Sequence, residues 1–241
     1  MASFVRIYGK LVNGVLKMRV TRFSALVQVD GKAFLCFLPN PGRLEELLVL
    51  NAEVILKKVK RNGRKTIYDL VGVRSGGQIV SVDSRLPNKL VFEALKNKDL
   101  PEFPEYSVIK PEHLYGHTRF DFLLSDNAES CLLEVKSCTL VKDGIAMFPD
   151  APTKRGVRHV LELAKAKNEG YRACILFIIQ RADAYMFKPN DEIDLAFGKA
   201  LRQAAERGVE VYAYKSEFVE DKVVLNGKVK VVIGIENCKR P

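Results

Sequence analysis

Short runs of alternating apolar and polar residues, separated by turn residues, fill the first third of the chain. This pattern predicts one short amphipathic helix over residues 43–48 and strands over residues 15–20, 24–30, 32–38, 52–59 and 66–73. Asp30-Gly31 and Asn62-Gly63 are residue pairs typical of hairpin turns. Three strands, a helix and two further strands follow the order of an oligonucleotide/oligosaccharide-binding (OB) barrel. We therefore predict an all-β domain, a five-stranded OB-like barrel, over residues 1–84.

Longer apolar segments with helical spacing begin after residue 84. They predict helices over residues 88–100, with Asn88 as the N-cap, 153–169 and 191–207. The strands that they predict cover residues 105–112, 119–125, 131–137, 173–180 and 209–214. The tail over residues 222–233 predicts a hairpin that turns at Asn226-Gly227. This order indicates a mixed-sheet α/β domain over residues 85–241, with helices covering the sheet.

Apolar runs and cysteine spacing indicate where in the cell the protein is located. The chain lacks a run of about 18 uncharged apolar residues, and its first residues, "MASFVRIYGK", lack the order of a signal peptide. We therefore expect a cytoplasmic protein with no membrane partner. The five cysteines show no C-x-x-C spacing and lie mostly within apolar runs, which favours reduced core thiols over disulfides or a zinc site. The sequence does not indicate an oligomeric state.

The net charge of +10 is concentrated in the first third of the chain. A basic domain beside a nearly neutral one favours a polyanionic partner, a nucleic acid, since neutralised phosphates supply most non-specific affinity. A charged surface that serves only solubility remains the alternative. Tyr68 follows one basic hairpin, which would suit a nucleic-acid strand or be a solvated turn. The basic residues of this hairpin are Lys57, Lys58, Lys60, Arg61, Arg64 and Lys65.

Charged residues interrupt two predicted core strands in the second domain. Glu134 and Lys136 are two residues apart, so they share one face of a strand, and Asp121 on the preceding strand can face them. Two converging carboxylates make an oxygen site suited to Mg²⁺ or Mn²⁺, and a neighbouring ammonium can orient a water. A structural ion-pair cluster is the alternative interpretation.

The spacing of Asp121, twelve intervening residues and Glu134-x-Lys136 resembles the core of PD-(D/E)xK nucleases, although Phe120 replaces the proline of that motif. Over residues 4–215 the chain also resembles the sugar fermentation stimulation protein A family. The segments that carry this resemblance are "FLPNPGRLEELL", "NKLVFEAL", "TRFDFLL", "LLEVKSCTL", "FPDAPTKRGVRHVLEL" and "AAERGVEVYAYK". The resemblance implies an OB-like N-terminal domain, a restriction-endonuclease-like C-terminal domain, and a DNA-binding role linked to sugar-gene regulation.

The nuclease resemblance implies roles for further residues. On the helix after the site, Arg155 and Arg158 would hold a phosphate. His159 would contact substrate or a metal-bound water, or be an ordinary polar neighbour. Arg119 would either pair with Asp121 or meet the scissile phosphate. Glu93 would complete the acidic cluster or be a surface acid.

Two functions follow from the resemblance and the residues together. In a nuclease dependent on Mg²⁺ or Mn²⁺, Asp121, Glu134 and the Val135 carbonyl would bind the metal, and Lys136 would position the attacking water. In the alternative, a DNA-binding regulator would use a nuclease-like scaffold without catalysis. Direct action on a sugar is a third interpretation, which rests only on the tolerance of OB barrels for oligosaccharides.

Overall fold

The computed structural model describes residues 2–60, 63–104, 106–126 and 129–234. Three helices and seventeen strands form within these residues. In chain order they are β1 (Phe4–Arg6), β2 (Leu11–Thr21), β3 (Ser24–Val29), β4 (Lys32–Phe37), β5 (Glu53–Lys58), β6 (Tyr68–Ser75), β7 (Gln78–Ser81), α1 (Leu86–Lys96), β8 (Val108–Tyr115), β9 (Thr118–Ser125), β10 (Ser130–Cys138), β11 (Val141–Lys142), β12 (Ile145–Phe148), α2 (Lys154–Asn168), β13 (Arg172–Ile179), β14 (Met186–Pro189), α3 (Leu195–Glu206), β15 (Glu210–Val219), β16 (Lys222–Lys228) and β17 (Lys230–Val231).

Strands β2 to β6 close into the predicted five-stranded barrel. The order β4-β3-β2-β5-β6 is antiparallel, and a parallel contact of Phe37 with Asp69 joins β4 to β6 and closes the barrel. Alternate residues of these strands point inward, so Leu16, Val27 and Leu56 are completely buried. The OB-like barrel is confirmed, and β7 extends it beside β6.

The predicted helix over residues 43–48 is wrong, because these residues form turns. Leu44 has a φ of 53°, and both Leu44 and Leu47 are buried in the barrel core. The Leu44 N–H donates to Asp150 Oδ2 at 3.2 Å, so a contact with the second domain also holds this segment. Burial of the two leucines outweighs the weak preference of so short a segment for a helix.

The second domain is built on the predicted mixed sheet, with the strand order β1-β16-β15-β13-β10-β9-β8. The three central strands β10, β13 and β15 are parallel, and the others are antiparallel. Helix α1 packs in the apolar cluster on one face, whereas α2 and α3 pack in the cluster on the other. A small sheet of β11, β12, β14 and β17 lies beside it.

The two domains are joined by a strand pairing and by a common apolar cluster. Strand β1, within the predicted first domain, pairs with β16 at the edge of the second sheet. Barrel residues Ile55 and Val71 belong to the same apolar cluster as α1 and β10. The barrel is therefore packed directly against the domain that carries the acidic residues.

The predicted turn at Asn226-Gly227 is also wrong. Strands β15 and β16 turn at Glu220 and Asp221, where Val219 lies opposite Lys222. Asn226 and Gly227 lie inside β16, where Gly227 has a φ of 73°. Pairing along β15 extends β16 through a residue pair that usually ends a strand. Among the described helices, none is long and apolar enough to cross a membrane.

Candidate active site

Asp121 and Glu134 lie where strands β9 and β10 separate. The antiparallel register runs from Ser125 and Ser130 to Phe122 and Leu133 and stops there, one pair before Asp121 and Glu134. Beyond that point the Val135 N–H donates to Asp121 Oδ2 at 2.7 Å. A side chain thus takes the place of a backbone acceptor, and it holds the Asp121 carboxylate against β10.

The side chains before and after Asp121 on strand β9 point to opposite faces of the sheet. Phe122 packs in the apolar cluster around α1, whereas Phe120 packs in the opposite cluster, with its ring centre 6.0 Å from that of His159. On β8, Glu112 lies between Pro111 and His113, which pair with Phe122 and Phe120, and it has a φ of 52°. Regular alternation therefore fails at Asp121.

This break corrects the prediction for Arg119. The alternation placed Arg119 on the same face as Asp121, where an ion pair was one alternative. Among the described residues, the exposed Arg119 instead pairs with Glu112, at 3.4 Å. Contact of Arg119 with a phosphate stays a prediction.

Asn88 is a site residue whose role sequence reasoning missed. Helix α1 begins at Leu86 with Arg85 as the N-cap, so the prediction of Asn88 as the cap is wrong. The Asn88 side chain instead donates from Nδ2 to Asp121 Oδ1 at 2.6 Å. Pro87 carried the signal, because proline favours the first turn of a helix and so places the start before residue 88.

Glu134 is almost completely buried, with 3% of its surface exposed. Its Oε1 accepts hydrogen bonds from Lys136 Nζ and from His159 Nδ1, so the predicted proximity of Lys136 to Glu134 is confirmed. Burial opposes ionisation of Glu134, but the positive charge of Lys136 and the His159 hydrogen bond outweigh it and lower the pKa. Its Oε2 is buried without a hydrogen-bond partner among the described residues. Such an atom is costly unless a further ligand meets it.

Asp121 shows the opposite shift. Burial, followed by the nearby negative charge of Glu134, raises the pKa of Asp121 to about 6. The Val135 N–H, Lys136 and Asn88 only partly offset these effects. At neutral pH two carboxylates therefore face one another at an energetic cost that a bound cation would relieve.

We expect Asp121→Asn to change how stability depends on pH in the presence of EDTA. The folded-state pKa of about 6 lies above the ordinary value of 3.8, so folded protein takes up this proton more readily than unfolded protein does. The resulting stability is present at low pH and is lost as pH rises through about 6. The melting temperature of the variant, relative to that of wild type, should therefore increase by several degrees from low to high pH. This magnitude follows because each kcal/mol of stability corresponds to about 2–4 °C.

The comparison is made by thermal unfolding from about pH 3.5 to about pH 8, which spans the change expected between the ordinary pKa of 3.8 and the folded-state pKa of about 6. Asp143→Asn, at an exposed turn, is the matched control, and its curve should run parallel to wild type. A parallel curve for Asp121→Asn as well would mean that Asp121 is not destabilised by burial and by Glu134.

His159 acts through Glu134. Only 1% of its surface is exposed. Contact of His159 with substrate or with a metal-bound water stays a prediction. Arg155 Nε donates to His159 Nε2 at 3.2 Å, which assigns the ring proton to Nδ1 and makes Nδ1 the donor to Glu134. Arg155 and His159 together hold the Glu134 carboxylate in place, while Arg155 and Arg158 remain exposed on α2.

Glu93 does not complete an acidic cluster. It lies on α1 and pairs with Lys96 at 3.7 Å. Within the described residues no group of three or more His, Cys, Asp or Glu side chains is arranged to hold a metal. The candidate metal site therefore consists of Asp121 and Glu134. Oxygen ligands of this kind fit Mg²⁺, Mn²⁺ or Ca²⁺, and a role for the Val135 carbonyl stays a prediction.

Several cations of the predicted basic hairpin are held by the barrel. Asp69, 1% exposed, accepts from Arg64 at 2.6 Å and pairs with Lys57 at 3.5 Å and with Arg85 at 3.7 Å. The guanidinium groups of Arg64 and Arg85 also lie over the ring of Phe37. Lys57 and Arg64 therefore neutralise a buried carboxylate, which limits their availability to a phosphate.

Tyr68 is unsuited to base stacking, because it is buried and makes an edge contact with Phe34. The lysines of the hairpin that extend into solvent are Lys58, Lys60 and Lys65. Arg61 lies outside the described residues. The free positive charge of this loop thus rests on three of the predicted side chains that the structure describes.

Comparison with known proteins places both domains in one family. The model of the SfsA N-terminal OB domain matches residues 18–82, and that of the Sugar fermentation stimulation protein RE domain matches residues 85–222. The chain belongs to the SfsA family. Sugar fermentation stimulation protein homologs from Caldanaerobacter subterraneus subsp. tengcongensis and Thermoanaerobacter sp. are each 44% identical to it. The matches cover 92% and 94% of this chain, respectively, and 97% of each relative.

A solved structure of an SfsA protein has the same overall fold. Pyrococcus furiosus SfsA in complex with Ca²⁺ is 30% identical and superposes with a TM-score of 0.87. The match covers 95% of this chain and 99% of that protein. The overall fold described above is therefore shared with this SfsA protein.

Proposed function

We propose that this SfsA protein is a divalent-metal-dependent nuclease that binds DNA and hydrolyses its phosphodiester bonds. The observation that carries the proposal is the buried, unpartnered Oε2 of Glu134 next to Asp121, whose pKa is raised to about 6. A structural ion-pair cluster would be expected to satisfy its buried acceptors. A cation site explains both features.

The same residues suit hydrolysis of a phosphodiester. Asp121 and Glu134, with the Val135 carbonyl, would hold Mg²⁺ or Mn²⁺, which when bound would supply Lewis acidity to a phosphoryl oxygen. Lys136, whose side chain is 13% exposed, is fixed beside Glu134 and would orient the attacking water and offset charge developing on the phosphate. Asn88 and the Val135 N–H would keep Asp121 oriented, and His159 would do the same for Glu134.

The Ca²⁺ complex of the Pyrococcus furiosus relative supports the choice of cation. Ca²⁺, Mg²⁺ and Mn²⁺ all take oxygen ligands, which Asp121 and Glu134 would provide. At 30% identity over nearly the whole of both chains, the relative makes a site for such a cation a reasonable expectation here.

DNA binding is the second part of the proposal, and we expect its salt dependence to rest on the exposed lysines of the basic hairpin. The combined replacement of Lys58, Lys60 and Lys65 by alanine should lower the slope of log affinity against log salt by about 2–3, since each phosphate contact contributes about 0.7–0.9. The slope is measured by fluorescence anisotropy with labelled DNA.

The matched control removes the same charge elsewhere on the surface. Lys165 on α2, Lys199 on α3 and Lys230 on β17 are exposed, and their combined replacement by alanine should leave the slope close to that of wild type. Equal slopes for the two triple variants would show that the hairpin is only a solvated turn.

Cleavage itself is tested on purified wild type with single-stranded, duplex and branched DNA and with RNA. Products should form with Mg²⁺ or Mn²⁺ and disappear with EDTA. A protein that binds DNA with a steep salt dependence but cleaves no substrate with any divalent metal would contradict the nuclease proposal. That outcome would favour the DNA-binding regulator.

A further inference from the structure

A cavity of about 780 Å³ opens beside the candidate site. Asp121 and Asn88 form part of its wall, and the N-terminal segment over residues 2–8, helix α1 and the β8–β9 hairpin form the rest. Its volume lies in the range of sites that bind small molecules. Because Asp121 is shared, whatever enters this cavity lies next to the Asp121 carboxylate.

Three aromatic side chains, Phe4, Tyr8 and Phe92, form apolar parts of the cavity wall. Tyr8 is 81% exposed and Phe4 is 42% exposed, although both line the cavity. Phe92 also lines it and stacks on Phe122, with ring centres 6.3 Å apart and planes 11° from parallel. Two exposed aromatic rings and one stacked ring in a single concavity provide flat apolar surfaces for a planar ligand.

The charged residues of the wall fit a nucleotide rather than a purely apolar ligand. Lys89 and Arg6 supply positive charge that a phosphate requires, and Arg6 also pairs with Asp221 at 3.6 Å. The wall carries the carboxylates of Glu112 and Asp121 as well, so the phosphate would lie at Lys89 and the base at the aromatic rings. Glu93 supplies an acceptor of the kind that pairs with the amino groups of bases.

We infer that this cavity binds an unpaired nucleobase of the strand whose phosphodiester lies at Asp121 and Glu134, so that the substrate is single-stranded or has unpaired ends. The inference rests on the proposed function and specifies its substrate. Stacking on aromatic side chains tolerates any base sequence, because every base has a flat face. A base within a duplex is covered by its neighbours and cannot enter a cavity of this size.

Tyr8→Ala tests the inference in the full chain. The affinity of this variant for a short fluorescein-labelled single-stranded DNA in the presence of Ca²⁺ should fall roughly tenfold. Its affinity for a blunt-ended duplex of the same length should stay unchanged. Tyr8→Trp, which keeps a flat ring, should restore single-strand binding. Tyr185→Ala is the matched control, because Tyr185 is 61% exposed and does not line the cavity.

Photocrosslinking locates the base without relying on cleavage or affinity. Single-stranded DNA that carries iodouracil should crosslink to peptides containing Phe4, Tyr8 or Phe92, and the yield should fall in Tyr8→Ala. Unchanged single-strand affinity in Tyr8→Ala, or crosslinks confined to the barrel, would overturn the inference even if wild type cleaves DNA. Crosslinks at the cavity in a protein that cleaves nothing would support the base site while the nuclease proposal fails.

Discussion

Glu134→Gln is expected to lower metal-dependent cleavage about a thousandfold or more. The substitution keeps the shape of the side chain but removes the charge that faces Lys136, and it replaces one carboxylate oxygen with an amide nitrogen that cannot ligate a cation. DNA affinity should remain within a few-fold of wild type, because most of it comes from phosphate contacts elsewhere. Cleavage rates under single-turnover conditions and anisotropy on the same DNA measure the two effects.

Metal binding gives a readout of this variant that is independent of activity. The electron paramagnetic resonance signal of free Mn²⁺ should decrease on addition of wild type and much less on addition of Glu134→Gln. Glu192→Gln, at an exposed position, is the matched control and should behave as wild type in cleavage and in Mn²⁺ binding. Equal cleavage by Glu134→Gln and wild type would remove Glu134 from the active site.

The domain folds were predictable because both depend on repeated patterns. Alternation in β2 to β6 identified the barrel strands, and helical spacing identified α1 and α2 to within a few residues. Strand β1 is too short to give a pattern, and its pairing with β16 depends on residues more than two hundred positions away. The prediction of a helix over residues 43–48 failed for a related reason, since burial of Leu44 and Leu47 against the barrel decides the conformation of this segment.

The carboxylates of the candidate site were also predictable, because Asp121 and Glu134 are costly residues in apolar strands. The supporting contacts of Asn88 and His159 were not. Asn88 has the residue type of a helix cap, and its bond to Asp121 follows only from how α1 packs on the sheet. His159 has the spacing of a polar helix face, yet the face change of β9 lets Phe120 pack on its ring and enclose it. Local periodicity does not encode these contacts between elements.

Support for the two carboxylates explains why the site can tolerate opposite pKa shifts. Lys136 and His159 both donate to Glu134 and keep it ionised, while Asp121 receives only a backbone N–H and a neutral amide at close range. Glu134, whose pKa is lowered, therefore lies beside Asp121, whose pKa is raised. A divalent cation is the simplest partner that would favour ionisation of both.

Lys136→Ala is expected to reduce cleavage by about a hundredfold or more while leaving DNA affinity within a few-fold, because one phosphate contact among several contributes little to binding. Lys136→Arg should not restore cleavage, since the broad guanidinium cannot replace a compact ammonium beside Glu134. Single-turnover cleavage and anisotropy are compared with Lys142→Ala, an exposed lysine on β11 that should match wild type in both. Full cleavage by Lys136→Ala would show that Lys136 only neutralises Glu134. Loss of DNA affinity in step with cleavage would make it a binding residue.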